Sequence, residues 1–254
     1  MRLFDSHCHL QDDRIFAQAD AIVARARNAG VRAMLCCGSS ESDWEAVKVL
    51  SLKYPEIIPA FGIHPWYRQL RTGKWLDKLE ELLVEFPAAA VGEIGIDHAR
   101  DGRNDEDQAA VFISQLKLAH KLNRPVSIHC RKAWADLASM LKQYGLPNGG
   151  VIHSWSGAPD LVPLFEKAGA SISFSGSITH DRNKRGRASA AVVSEERLLI
   201  ETDSPDIPPR GGAEGENEPA NLVKIAEKIA ELRGKTVEEI GELTYVNACG
   251  IFKT

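Results

Sequence analysis

Short apolar runs and longer amphipathic stretches alternate along the whole chain. Leu3 and Phe4 open the first strand, which ends in Asp5-Ser6-His7-Cys8-His9. Ile15, Phe16, Ala19, Ile22, Val23 and Ala26 then recur at the spacing of one helix face, and Gly30 supplies a stop. Val31 to Cys37 reads as the second strand. Ser42 and Glu45 have the spacing of a capping box before a helix reaching about Tyr54. Ile57 to Phe61, Ala88 to Val91, Pro125 to Ile128, Val151 with Ile152, Ala170 to Phe174 and Leu198 to Ile200 supply six more strands. Helical patterns cover Trp75 to Phe86, a long segment capped by Asn104 and Asp105, Lys132 to Tyr144, and Leu161 to Ala168. Ser175 to Arg187 reads as a polar loop. A Gly/Pro/acid-rich loop from Asp206 to Glu218 precedes two last helices, Pro219 to Arg233 and about Val237 to Phe252.

Strands alternating with helices imply right-handed βαβ units and a parallel sheet covered by helices. Eight such units with no linker between them predict α/β architecture as a single-domain (β/α)8 TIM barrel over residues 1–254. No glycine-rich phosphate fingerprint follows the first strand, which argues against a dinucleotide-binding doubly wound sheet.

Side chains alternate between the faces of a strand, so Asp5, His7 and His9 are expected on one face and Ser6 and Cys8 on the other. In a TIM barrel the active site forms at the C-terminal ends of the strands. His7 and His9 follow strand one, His64 strand three, Glu93 strand four, His129 strand five, His153 strand six and Asp203 strand eight. Imidazoles and carboxylates converging from such distant positions read as a site for one or two divalent ions, with His7, His9, Glu93, His129, His153 and Asp203 as ligands. Zinc, manganese and magnesium all suit that donor set. Glu93 is placed to bridge two ions, and Asp203 to take the proton of an attacking water, which makes these two the expected catalytic carboxylates. His64, Arg131 and Trp155, on the same rim, are the expected substrate contacts. Trp66 and Trp155 either stack on a base or roof the pocket. His98, His120 and His180 are expected to stand outside the site.

Hydrophobic residues make up 44% of the chain, enough for a substantial core. A net charge of −4 argues against nucleic-acid binding through bulk charge, although Arg182, Lys184, Arg185 and Arg187 form a local basic stretch. Cys8, Cys36, Cys37, Cys130 and Cys249 form no C-x-x-C pair and sit mostly in apolar runs, as free thiols in a reducing compartment do. The N-terminus lacks the regions of a signal peptide, and no apolar run approaches the roughly 20 residues of a membrane helix. A cytoplasmic monomer is expected.

The chain resembles the TatD family of metal-dependent hydrolases and deoxyribonucleases, within the wider amidohydrolase-like barrels, and within that family its YjjV-type members. The resemblance rests on Asp5-Ser6-His7-Cys8-His9-Leu10, Gly62-Ile63-His64-Pro65, Gly92-Glu93-Ile94-Gly95-Ile96-Asp97, Ile128-His129-Cys130-Arg131, His153-Ser154-Trp155-Ser156-Gly157, Glu201-Thr202-Asp203-Ser204-Pro205 and Asn217-Glu218-Pro219, in family order over nearly the whole chain. It implies divalent metals at the six ligands named above, hydrolysis of phosphodiesters, often in DNA, and contact of His64 with substrate phosphate. The chain departs from the family pattern at His98-Ala99, where an aromatic is usual after Asp97, and at Glu216, where an arginine is usual. With Glu214 and Glu218, Glu216 makes an acidic loop that repels a polyanion. Two rival readings stay open: hydrolysis of a small-molecule amide, lactone or ester at the same metal site, and a non-catalytic metal-binding or assembly protein.

Overall fold

Alternate residues of the strands divide into two apolar sets. Leu3, Met34, Cys36, Phe61, Val91, Ile128 and Ile172 face outward to the helices, whereas Phe4, Ala33, Leu35, Ile58, Ala60, Ala90, Val151 and Leu199 form a second cluster inside the sheet. That division is the mark of a sheet closed on itself. The structure, a computed structural model, describes residues 1–146, 148–213 and 215–252. Its strands are β1 (Leu3–Cys8), β2 (Val31–Cys37), β3 (Ile57–Phe61), β4 (Ala90–Asp97), β5 (Val126–Arg131), β6 (Gly150–Ile152), β7 (Ala170–Phe174) and β8 (Leu198–Ile200). They pair in sequence order, and every pair is parallel. The first and last strands meet beyond the end of β8, where Asp203 N donates to His7 O at 3.0 Å and His9 N to Ser204 O at 2.8 Å. The fold is a (β/α)8 barrel, drawn together on the rim that carries the histidines.

The helices are α1 (Ala19–Asn28), α2 (Trp44–Lys53), α3 (Trp75–Glu85), α4 (Asp105–Leu122), α5 (Trp134–Tyr144), α6 (Val162–Lys167), α7 (Lys184–Val192), α8 (Leu222–Arg233) and α9 (Val237–Phe252). The last of these plugs the N-terminal end of the barrel, where Phe252 stacks on Phe4 with ring centroids 5.8 Å apart. Among the described residues no helix is long and apolar enough to cross a membrane.

Three expectations change. The polar loop from Ser175 is half helical, because α7 lies within its second half and beyond. Its segment KRGRASAAV shows no apolar stripe; it packs through the small residues Gly186, Ser189 and Ala190, and Asn183 caps it by accepting from Gly186 N at 2.9 Å. The capping box at Ser42 does not form. Asp43 stands at the N-cap, and the Ser42 hydroxyl pairs with Ser40 Oγ at 2.8 Å. Finally, β4 and β5 continue as strand through the residues first read as the ends beyond them, so Glu93, Asp97 and His129 sit on sheet and not on loop. Strand-borne side chains are held more rigidly than loop-borne ones.

Asn104 caps α4 as the sequence predicts, accepting from Asp107 N at 3.0 Å. Replacing it with alanine removes a partner for an otherwise orphan N–H, and the expected cost is about 1 kcal/mol of unfolding free energy. Urea denaturation of Asn104→Ala checks this, with metal content unchanged because the cap is remote from the rim.

Candidate metal centre

Glycine lets the backbones of β3, β4 and β5 close up where the ligand-type residues emerge. A Cβ on Gly62 would lie 2.8 Å from Glu93 O, and one on Gly95 would lie 2.0 Å from His129 O. Neither position admits another residue without separating the strands. The approach brings His64, Glu93 and His129 together from three neighbouring strands.

Glu93, only 3% exposed, is the hub. Its Oε2 lies 3.3 Å from His9 Nε2 and 3.5 Å from His7 Nε2. Its Oε1 lies 2.8 Å from His153 Nε2, 3.0 Å from His129 Nδ1 and 3.3 Å from His64 Nε2. One carboxylate oxygen therefore serves each half of the cluster. Asp203 closes the first half, with Oδ1 3.6 Å from His9 Nε2 and 3.9 Å from His7 Nε2. Asp203 has φ of 57°, in the left-handed region that aspartate tolerates better than most residues. Among the described residues three sets of donors have ligating atoms within 4.8 Å of one another: His7, His153 and Asp203; His7, His9 and Glu93; His64, Glu93 and His129.

Behind four of the imidazoles a polar group faces the far nitrogen, leaving the other nitrogen turned inward. His9 Nδ1 donates to Cys37 O at 2.7 Å, and His129 Nε2 donates to Asp97 Oδ2 at 3.1 Å. His7 Nδ1 bonds Ser127 Oγ at 2.8 Å, and His153 Nδ1 stands 3.4 Å from Glu201 Oε1. Partners of this kind orient each ring so that its inward nitrogen can bind a cation once any proton on it is displaced. His64 is the opposite case. The Trp66 backbone N–H donates to its Nδ1 at 3.1 Å, so in the neutral ring Nε2 carries the proton and acts as a donor.

The electrostatics agree with a cation-binding set. Burial opposes charge on Glu93, but His64, His153 and His129 around it hold its carboxyl well below the usual range. Burial likewise opposes charge on Asp203, and its contacts with His9, His153 and His7 bring it down to about 2. Burial and the neighbouring His153 push His7 down to about 3. For His9 and His153 the carboxylates outweigh burial, and both lie well above the ordinary histidine value. Buried carboxylates facing crowded imidazoles are the donor chemistry that divalent zinc, manganese or magnesium takes, and the residues fit such ions.

A family model described as TatD related DNase matches residues 4–253. The chain is 32% identical to an uncharacterized metal-dependent hydrolase, YjjV, of Escherichia coli K12, over 99% of this chain and 98% of that protein. It is 30% identical to the 3′-5′ ssDNA/RNA exonuclease TatD of Shigella flexneri, with 98% of each covered. The crystal structure of the E. coli YjjV protein superposes with a TM-score of 0.95 at 31% identity, covering 100% of this chain and 98% of that one. The chain belongs to the TatD family. Membership makes it a metal-dependent hydrolase. A phosphotriesterase homology protein of E. coli, with phosphate in its active site, shares the fold alone at 12% identity and a TM-score of 0.68.

In this TatD-family centre all six expected ligands meet. His64, expected to face substrate, also meets Glu93. Arg131 ends β5 on the exposed rim, with no side-chain hydrogen bond among the described residues. Trp155 is not on the rim. Left-handed Ser154 (φ 43°) turns the chain, and the indole packs between Trp134 of α5 and Phe165 of α6, with ring centroids 4.5 and 5.6 Å away. Asp5 does not point with the histidines either. The register of β1 against β2 shifts between Asp5 and Cys8, and Asp5 accepts from Thr202 N at 2.8 Å and Thr202 Oγ1 at 2.5 Å. Of the acidic loop, Glu218 is paired with Arg25 at 2.5 Å and Asp206 with Arg14 at 2.8 Å, so much of its charge is neutralised. Glu216 is exposed, and Glu214 lies outside the described residues.

Sequence reasoning missed the outer partners Ser127, Asp97 and Glu201. Asp97 and Glu201 stand inside the family-like motifs, and a buried acid beside a strand end was the available signal; Ser127 offered none. Asp97→Asn weakens the anchor of His129, and metal affinity is expected to fall roughly 10- to 100-fold with the fold intact. Calorimetry on chelator-stripped protein checks this. Because His9 and His153 hold protons before a cation displaces them, apparent affinity is also expected to rise with pH, with proton release seen as a dependence of binding heat on buffer.

Proposed function

We propose that the chain is a divalent-metal-dependent phosphodiesterase that removes nucleotides from DNA ends, acting as a cytoplasmic monomer. The observation that carries this reading is Glu93, which offers one oxygen to each of two adjacent donor sets. Such a donor set would suit two cations, which would supply the charge neutralisation that in-line displacement at a phosphoryl group needs. The exonuclease named among the relatives supports a nucleic acid as substrate. Five free cysteines, four of them buried, support a reducing compartment.

His7, His9, Glu93, His129, His153 and Asp203 would hold the metals. Bound divalent ions lower the pKa of a water and neutralise charge on phosphoryl oxygens. Asp203 is ionised and at the mouth of the cluster, and it accepts the proton of the attacking water. His64, with its Nε2 proton fixed by the Trp66 backbone, donates to a phosphoryl oxygen. Arg131, free on the rim, supplies positive charge to the substrate backbone. Burial of Glu93, His7 and His153 keeps bulk water from the reacting centre and strengthens each of these interactions.

Hydrolysis of a small-molecule amide, lactone or ester is the rival reading. None of the eight strands carries a lysine, so the carbamate-bridged form of such sites has no residue to build on, and Glu93 stands in the bridging place.

The test strips the protein of metal and resupplies magnesium, manganese or zinc in turn with end-labelled single-stranded DNA. Metal-dependent release of labelled nucleotides is expected, falling roughly 10²- to 10⁴-fold in Asp203→Asn. His64→Asn is expected to keep its metal and to lose roughly 10- to 150-fold in kcat/KM, the loss of one hydrogen bond to a charged group. Metal-loaded protein that cleaves neither DNA nor a generic phosphodiester would overturn the reading.

A further inference from the structure

Of the five tryptophans Trp66 alone is exposed; Trp44 and Trp155 are buried and the other two half-buried. Its placement is not that of an accidental surface residue. Trp66 lies two residues after His64, and its ring meets the His64 ring edge-on, with centroids 5.0 Å apart and planes at 88°. The His129 ring is 6.2 Å away. The indole Nε1 donates to Asp97 Oδ2 at 2.7 Å, and the backbone N–H donates to His64 Nδ1. One edge of the indole is thus pinned into the metal centre while the residue remains 37% exposed. Packing gives no reason to hold a large apolar ring so rigidly and leave it open to water.

The guanidinium of Arg100 lies over this ring, with Cζ 4.1 Å from the centroid. Arg100 makes no ion pair or hydrogen bond through its side chain among the described residues, so the indole face is what holds it there. A flat cation on a tryptophan face marks a surface that takes flat, π-bearing groups.

We propose that Trp66 is the platform on which the nucleobase next to the scissile phosphodiester stacks, displacing Arg100 from the indole face. The proposal rests on the phosphodiesterase reading and adds the residue that recognises the base. Every base has a π-face, so the platform works without sequence preference. A pinned indole has little rotational freedom to lose when a base stacks on it. Once displaced, Arg100 has no carboxylate to satisfy it and is free to pair with a backbone phosphate.

The test uses the metal-loaded full chain and two oligonucleotides, one natural and one with an abasic tetrahydrofuran residue next to the scissile phosphate. Wild-type protein is expected to show a lower KM for the natural strand. Trp66→Ala is expected to raise that KM roughly 5- to 150-fold, the loss of one stacked base, and to bring the natural-to-abasic ratio close to one. Trp66→Phe keeps a ring but not the N–H to Asp97, and is expected to recover most of the difference. Calorimetric binding of dTMP against deoxyribose 5-phosphate gives the same comparison without turnover. Arg100→Ala is expected to lower the salt dependence of KM and preserve the natural-to-abasic ratio. A wild-type ratio near one, or a ratio unchanged in Trp66→Ala, overturns the platform while leaving the phosphodiesterase reading standing. Equal losses on both strands in Trp66→Ala and Trp66→Phe, with reduced metal content, would make Trp66 a positioning residue for Asp97 and also overturn it. If wild-type protein cleaves no strand, the phosphodiesterase reading fails and the platform falls with it.

Discussion

The buried carboxylate of Glu93 is surrounded by five imidazoles, and the rest of the molecule accommodates that crowding. A buried carboxylate alone is held up toward its neutral form, and a buried imidazole is held down toward its own. Placed against one another they reverse those tendencies, as Glu93, Asp203, His9 and His153 show. The arrangement works only if every ring is oriented from behind. Cys37 O, Ser127, Asp97 and Glu201 face the outer nitrogens of His9, His7, His129 and His153 for that purpose. His64 alone is oriented the other way, by the Trp66 backbone, and its proton points inward.

The barrel supplies what that cluster needs. Its interior has an apolar floor around Phe4, Leu35 and Leu199, plugged by Phe252, with a layer of serines above it. Ser6 of β1 and Ser173 of β7 bond each other at 2.8 Å, and Ser127 reaches His7. Above the serines come the histidines and acids. Polarity thus rises along the barrel axis from dry hydrocarbon to ionisable groups, and each polar layer hydrogen-bonds its neighbours. Because β8 is short and pairs with β1 only through its trailing residues, Asp203 is part of the barrel's closure as well as of the site.

The strand-end histidines were legible because a parallel barrel converts order along the chain into a ring of positions, and every ligand type fell where a short apolar run stopped. What misled the sequence reading were positions where local geometry breaks the simple period. The register shift in β1 puts Ser6 and His7 both inside and sends Asp5 to Thr202. Ser154 in the left-handed region turns Trp155 from the rim into the helix layer. The helix α7 hid in a basic, small-residue segment because it packs by close approach and not by an apolar stripe. The acidic loop looked repulsive in the sequence because Arg14 and Arg25, its partners, are nearly 200 residues distant along the chain.

By itself the amino-acid sequence determined the eight strands, the alternation that makes them a parallel barrel, and the six ligand-type residues on one rim. Each of these depends on local periodicity or on residue type at a strand end, which neighbouring residues encode. Only the tertiary structure decided that Glu93 gives one oxygen to each half of the cluster, which group stands behind each histidine, that Asp97 stands behind both His129 and Trp66, and that Trp66 rather than Trp155 lies beside the cluster. Those are matters of ångströms between groups tens to hundreds of residues apart. They follow from backbone approach, strand register and hydrogen-bond direction, which no stretch of sequence specifies alone.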